Sequence, residues 1–167
     1  MFVRVKKING KKYTYLVENE WTPWGSRQRV TKYLGAAHEP ERLTDNTHEL
    51  SNGKHEAVIS AVKQELLNHG FRELDEVFER DGISVHLKNK TVKKGKKNVT
   101  LTLNEGFLCE HTLNELLSFE PHENKDIAAT KLAKLTLEAG LKMTPEQFAH
   151  IFTQMQNLKT NEDSFAK

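Results

Sequence analysis

An Asn-Gly pair at residues 9 and 10 separates two runs of alternating character, Phe2–Ile8 and Lys11–Glu18. Both residue types tolerate positive φ, which a tight hairpin turn needs if the strands are to keep their natural twist. A two-residue turn leaves no freedom in register. It sets Val3 against Leu16, Arg4 against Tyr15, Val5 against Thr14 and Lys6 against Tyr13. Directly opposed residues share a face. One face therefore carries Val3, Val5 and Leu16, and the other Phe2, Arg4, Lys6, Tyr13 and Tyr15. A third alternating run, Arg27–Leu34, adds Val30 and Leu34 to the apolar face, and Arg27, Arg29 and Tyr33 to the other. The expectation is a three-stranded antiparallel sheet over residues 1–35, apolar on one side and basic and aromatic on the other.

The charge is concentrated there. Residues 1–35 hold eight Lys and Arg against two acids, a net of +6, whereas the whole chain is only +2. Lys11, Lys12 and Lys32 add to the basic face residues. Arg and Lys neutralise phosphates, and aromatic rings stack on bases, so this face suits nucleic acid. A solvated sheet face is the plainer alternative. Residues 19–26 carry Trp21 and Trp24 around Thr22-Pro23, a connection read as too long for a tight hairpin. The two rings either cover the sheet edge or form a stacking or docking surface.

The opening also resembles the N-terminal β-module of DDE-type insertion-sequence transposases. The matching pieces are Met1-Phe2-Val3-Arg4, Gly10 through Glu18, and Arg27 through Gly35. The Trp21-Thr-Pro-Trp24-Gly25 connection departs from the short polar turn usual there. The resemblance covers about the first fifth of the chain and implies a module that engages nucleic acid. It does not imply transposition, because the chain is too short to add an RNase H-like catalytic domain.

The rest of the chain reads as an α+β domain. Residues 36–54 lack periodicity, contain Pro40, Asn52 and Gly53, and are expected to be a flexible linker. His38 and His48 among acids there match no helical metal-ligand spacing. Lys54–His69 shows helical spacing through Val58, Ile59, Val62, Leu66 and Leu67, with Gly70 as the stop. Phe71–Arg80 is ambiguous between a short helix and a strand start. Residues 83–93 and 97–104 read as a second hairpin around Gly95. Its tip is basic throughout, with Lys93, Lys94, Lys96 and Lys97, and it can lie along phosphates without reading sequence. A solubilising tip that guards a strand edge is the competing role.

Thr112-Leu-Asn-Glu115 has capping-box spacing. A helical hairpin follows, Lys125–Ala139 capped by Asn124, then a helix from Pro145 with Thr144 as cap and Gln147 at the third position. Its stripe of Phe148, Ile151, Phe152, Met155 and Leu158 calls for burial, in the core or in a homodimer through residues 145–158. The domain spans 55–160, and 161–167 is a tail.

With 37% hydrophobic and 29% charged residues, the composition is polar. No apolar run approaches the ~20 residues that span a bilayer, and no leader-like segment follows the basic start. The single Cys109 excludes an internal disulfide and points to the cytoplasm. It reads as a buried structural cysteine. No phosphate loop, dinucleotide fingerprint, zinc motif or nucleophile constellation is present, so no catalytic residue, cofactor or metal is expected. The reading is a non-catalytic nucleic-acid-binding protein, DNA before RNA. An RNA- or ribosome-associated protein is one alternative. A protein–protein adaptor using the tryptophans and the last helix is another.

Overall fold

The computed structural model describes residues 1–165, with side chains through Gln156. Strands β1 (Phe2–Ile8), β2 (Lys11–Thr22) and β3 (Gly25–His38) open the chain. Helix α1 (Lys54–Asn68) follows, then β4 (Arg72–Leu74), β5 (Val77–Arg80), β6 (Ile83–His86), β7 (Thr91–Lys94), β8 (Lys97–Leu103) and β9 (Gly106–Leu108). Helices α2 (Glu110–Leu117), α3 (Lys125–Glu138) and α4 (Pro145–Phe165) close it.

The expected separate three-stranded sheet at the N-terminus is not what forms. All nine strands belong to one mixed sheet of order β1-β2-β3-β8-β7-β6-β5-β4, with β9 beside β8. The join is a parallel pairing of β3 with β8, in which Ala36, Ala37 and His38 face Val99, Thr100 and Leu101. Parallel neighbours need a long crossover, and residues 39–96 supply it. Gly35 makes the approach possible. Its φ is +108°, and a Cβ there would collide with the Asn98 carbonyl, so only glycine fits.

The stretch read as a linker therefore begins as the end of a strand. Beyond His38 it is not a free coil but an ordered strap along α1. Leu43 N–H and Thr44 N–H both donate to the Asn68 carbonyl, at 2.8 and 3.1 Å. The Asn68 amide brackets Asn46, and His48 N–H donates to Gln64 Oε1 at 2.7 Å.

Helix boundaries follow the capping chemistry. At the end of α1, Phe71 N–H reaches the Leu66 carbonyl and Gly70 N–H the Leu67 carbonyl, both at 3.1 Å, a Schellman motif that satisfies two orphan carbonyls. The same pattern ends α3, through Gly140 and Leu141. Asn124 caps α3, and Thr144 and Gln147 form a reciprocal box on α4. At α2 the cap is Cys109, not Thr112. Thr112 takes the third position and its hydroxyl accepts from Cys109 N–H at 3.0 Å.

Two further stretches resolve. Of the two readings of Phe71–Arg80 the strand holds: β5 covers Val77–Arg80 and forms a hairpin with β4 around Asp75 and Glu76, whose φ values are +50° and +66°. The first arm of the lysine hairpin is broken into β6 and β7 by a turn at residues 87–90. The main core gathers α1, β5–β8 and the apolar faces of α2–α4. In α4, Ile151 and Met155 are buried inside this core, while Phe148 and Phe152 are half-buried against it. Leu158 lies outside the described side chains. The helix continues through Phe165, so the part of the expected tail up to that residue is helical. Residues 166 and 167 lie outside the described chain. Among the described residues, no helix is long and apolar enough to cross a membrane.

Candidate nucleic-acid interface

The Asn9-Gly10 turn has both φ values positive, +50° and +79°. The register it sets is the one that its two-residue length dictates, from Phe2 opposite Val17 to Ile8 opposite Lys11. One face of the hairpin thus presents Arg4, Lys6, Tyr13 and Tyr15. Tyr33 joins them, its ring centroid 5.2 Å from that of Tyr15 and 6.4 Å from that of Tyr13. The Lys6 ammonium sits 5.1 Å from the Tyr15 ring centre, within cation–π range. The opposite face turns Val3, Leu16 and Leu34 inward against Cys109.

The third strand does not keep one parity. Leu34 and Thr31 are extra residues relative to β2, so two bulges interrupt the β2–β3 ladder. A bulge adds one residue to one strand and shifts which face every later side chain occupies. On the turn side of Thr31, over residues 25–30, the faces exchange relative to Tyr33. Val30 pairs with Val17 on the tyrosine face, where an apolar-face position was expected. Arg27 and Arg29 fall opposite Glu20 and Glu18 on the other face, and Lys32 falls opposite Leu16. Arg29 closes a 2.7 Å ion pair with Glu18. The tyrosine face therefore lacks the two arginines assigned to it from the alternation.

What it gains comes from β8. Tyr13 faces Ala36, and Ala36 faces Val99, so the tyrosine face runs across β3 onto the start of β8. Here an open cleft of about 900 Å³ is lined by Lys11, Lys12, Tyr13, Tyr33, His38 and Lys97, with Glu39 at its margin. Residues from the first hairpin and from the lysine hairpin meet in one depression. Lys94 pairs with Lys97 across the tip. Lys94 and Lys96 are exposed and Lys93 is half-buried; none of these three lines the cleft.

The acids and titrating groups of the cleft were not anticipated from the sequence. Glu39 holds Lys12 in a 2.7 Å ion pair, with both side chains about half exposed. Burial lowers the His38 pKa from its ordinary value, and the nearby Lys94 charge lowers it further. The ring is thus neutral near neutral pH. As pH falls through ~6.5, the unfolded chain protonates first, so the stability this ring contributes is present above that value and lost through its folded pKa. A phosphate in the cleft acts the other way and favours the charged ring. Affinity for a polyanion should rise as pH drops from about 7.5 to about 5.5, and His38→Gln should remove its part of that rise. Binding titrations at the two pH values check this. Burial, then Tyr15 and Tyr13, raise the Tyr33 pKa, which keeps its hydroxyl neutral.

The tryptophans are neither folded back nor part of the cleft. Pro23 and Trp24 form a two-residue turn with Thr22 paired to Gly25, so the connection is a tight hairpin after all. Proline presets φ at the first turn position, and the Thr22 hydroxyl donates to the Gly25 carbonyl at 2.7 Å. Past the Phe2–Val17 pair, where β1 begins, Glu18–Thr22 and Gly25–Arg29 extend as a two-stranded arm. Trp21 is 84% and Trp24 96% exposed at its end. Trp21 keeps the parity of Tyr13 and Tyr15 on β2, roughly 26 Å along the strand from Tyr13 at ~3.3 Å per residue.

A second cluster escaped the sequence reading. Glu65 on α1 is fully buried. It accepts from the Arg42 guanidinium, from Asn104 Nδ2 at 2.7 Å and from Lys142 N–H at 3.0 Å. The strap, α1, the β8–β9 turn and the α3–α4 loop meet at this carboxylate. Arg42 also donates to Asp45 at 2.7 Å. Burial alone would lower the Arg42 pKa, but its bonds to Asp45 and Glu65 outweigh that and raise it. The signal was in the sequence: Glu65 sits seven residues beyond Val58, on the helix's apolar stripe. Every Glu65 contact is to the protein's own framework, and the arrangement organises the fold. Comparison of the chain with family models, curated proteins and solved structures finds no match.

Proposed function

We propose that this chain is a non-catalytic nucleic-acid-binding protein, with DNA as its first partner. The cleft carries the reading: Lys11, Lys12 and Tyr13 of the first hairpin face the same depression as Lys97 of the second. Three ammonium groups and two tyrosine rings lining one concave surface match a phosphate backbone with bases. The parallel β3–β8 pairing makes this surface preorganised, where a flexible linker would have tethered two independent basic elements. The transposase-like opening favours DNA over RNA.

Glu39 supplies a sharp test. It occupies Lys12, and a phosphate must compete with it. Fluorescence anisotropy with labelled DNA should show log affinity falling linearly with log salt. Glu39→Gln should tighten binding severalfold, and Lys12→Gln should weaken it. Affinity insensitive to salt and to both changes would remove the cleft from function.

The exposed Trp21 and Trp24 favour a second reading, in which the arm docks a protein partner. Partner recovery from cell extract that survives nuclease treatment and is lost in Trp24→Ala would select it.

A further inference from the structure

Resting on the nucleic-acid reading, we propose that the cleft takes an unpaired DNA strand, not a duplex. A duplex offers a ring only its backbone and groove edges, because each base face is covered by its neighbours. An unpaired base exposes its π-face, and stacking on it is tolerant of sequence. Tyr13 and Tyr33 line the cleft, and Tyr33 is 53% exposed. The lysines Lys11, Lys12 and Lys97 stand around the same depression. Rings inside a concave site with ammonium groups about them suit bases turned inward and phosphates outward. A duplex presents the reverse, its phosphates outermost and a body too broad for a cleft of about 900 Å³.

The surroundings continue the path. Tyr15 packs on Tyr33, Lys6 lies over Tyr15, and Arg4 is exposed beside them on the same face. Trp21 follows at the same parity on β2. A strand leaving the cleft along this face meets Tyr15, Lys6 and Arg4 first, then Val17 with Val30 and Asn19 with Gln28, before it reaches Trp21. The Tyr33 hydroxyl stays neutral, so it does not repel the strand. Arg27 and Arg29, on the opposite face beside Glu20 and Glu18, play no part.

The test compares labelled oligothymidylate of about a dozen nucleotides with a mixed-sequence duplex of equal length, at one salt concentration. The wild type should bind the single strand at least tenfold more tightly. Tyr33→Ala should lose about tenfold on the single strand, the scale of one stacked base, with little change on the duplex. Tyr33→Phe keeps the ring and should keep the affinity, which separates stacking from the hydroxyl's own bonds. Circular dichroism of each variant controls for folding. Equal or tighter duplex binding, or a Tyr33→Ala protein that is folded and binds the single strand as wild type, overturns the inference and leaves the nucleic-acid reading standing. Binding to neither probe overturns both.

Discussion

Replacing Glu65 with alanine is expected to cost about 3–5 kcal/mol of stability, the range for removing one partner of a buried ion pair. The carboxylate is wholly buried and accepts from Arg42, Asn104 and the Lys142 backbone. Its loss removes the acceptor shared by Asn104 and the Lys142 N–H and leaves Arg42, whose side chain is mostly buried, with Asp45 as its remaining ionic partner; polar groups left unsatisfied on burial carry a desolvation cost. Glu65→Gln keeps an oxygen for Asn104 or Lys142 but not the charge opposite Arg42, so it should fall between. Urea denaturation of the three proteins measures this. A loss below ~0.5 kcal/mol for the alanine variant, the scale of an ordinary surface change, would mean that the cluster does not hold the strap to α1.

The largest effect on binding is expected from changing Lys93, Lys94, Lys96 and Lys97 together to glutamine. Affinity should fall at least tenfold at low salt, about 1.4 kcal/mol or more, and by the same factor for unrelated sequences. The reason is chemical: lysine meets phosphates as a point charge and does not read base edges. The salt slope should shrink by about 0.7–0.9 for each phosphate contact removed. Melting temperature should change little, since Lys94, Lys96 and Lys97 are exposed and Lys93 is half-buried. The competing role for the tip, protection of a strand edge, has little to protect. Strands β7 and β8 are interior to the sheet, and both have neighbours on either side. Arg27→Ala with Arg29→Ala serves as the contrast and should change affinity little, because those side chains face away from the tyrosines.

Turn chemistry and period were strong enough to specify the first hairpin residue by residue. Asn9-Gly10 permits one register, and that register places Tyr13, Tyr15, Arg4 and Lys6 together whatever else the chain does. The helix ends were legible for the same reason: Asn124, Thr144, Gly70 and Gly140 each satisfy a backbone group that a helix leaves unpaired. The bulges at Thr31 and Leu34 were not legible. Each is one residue of excess relative to a neighbouring strand, which leaves no mark in the composition of either strand. Yet the one at Thr31 carried Arg27 and Arg29 to the other face. The β3–β8 pairing was hidden too. Gly35-Ala-Ala-His38 has neither branched residues nor alternation, and it becomes a strand because Val99–Leu101 offers it a partner far away in sequence. Local preference is a weak guide wherever such tertiary pairing decides. The cleft was a consequence of that pairing, so its parts could be named from sequence but not brought together. The role of Glu65 was not legible, because an acid on an apolar stripe does not announce the arginine that will meet it.

We propose that Lys11, Lys12, Tyr13, Tyr33 and Lys97 contact nucleic acid. Photocrosslinking of the protein to thymidylate oligonucleotides, followed by peptide mapping, tests it most directly, because it reads position as well as binding. Adducts should fall within residues 11–15, 32–38 and 93–98, with none on α4, and excess unlabelled oligonucleotide should suppress them. Adducts confined to other surfaces, or no adducts with a folded protein, would contradict the account.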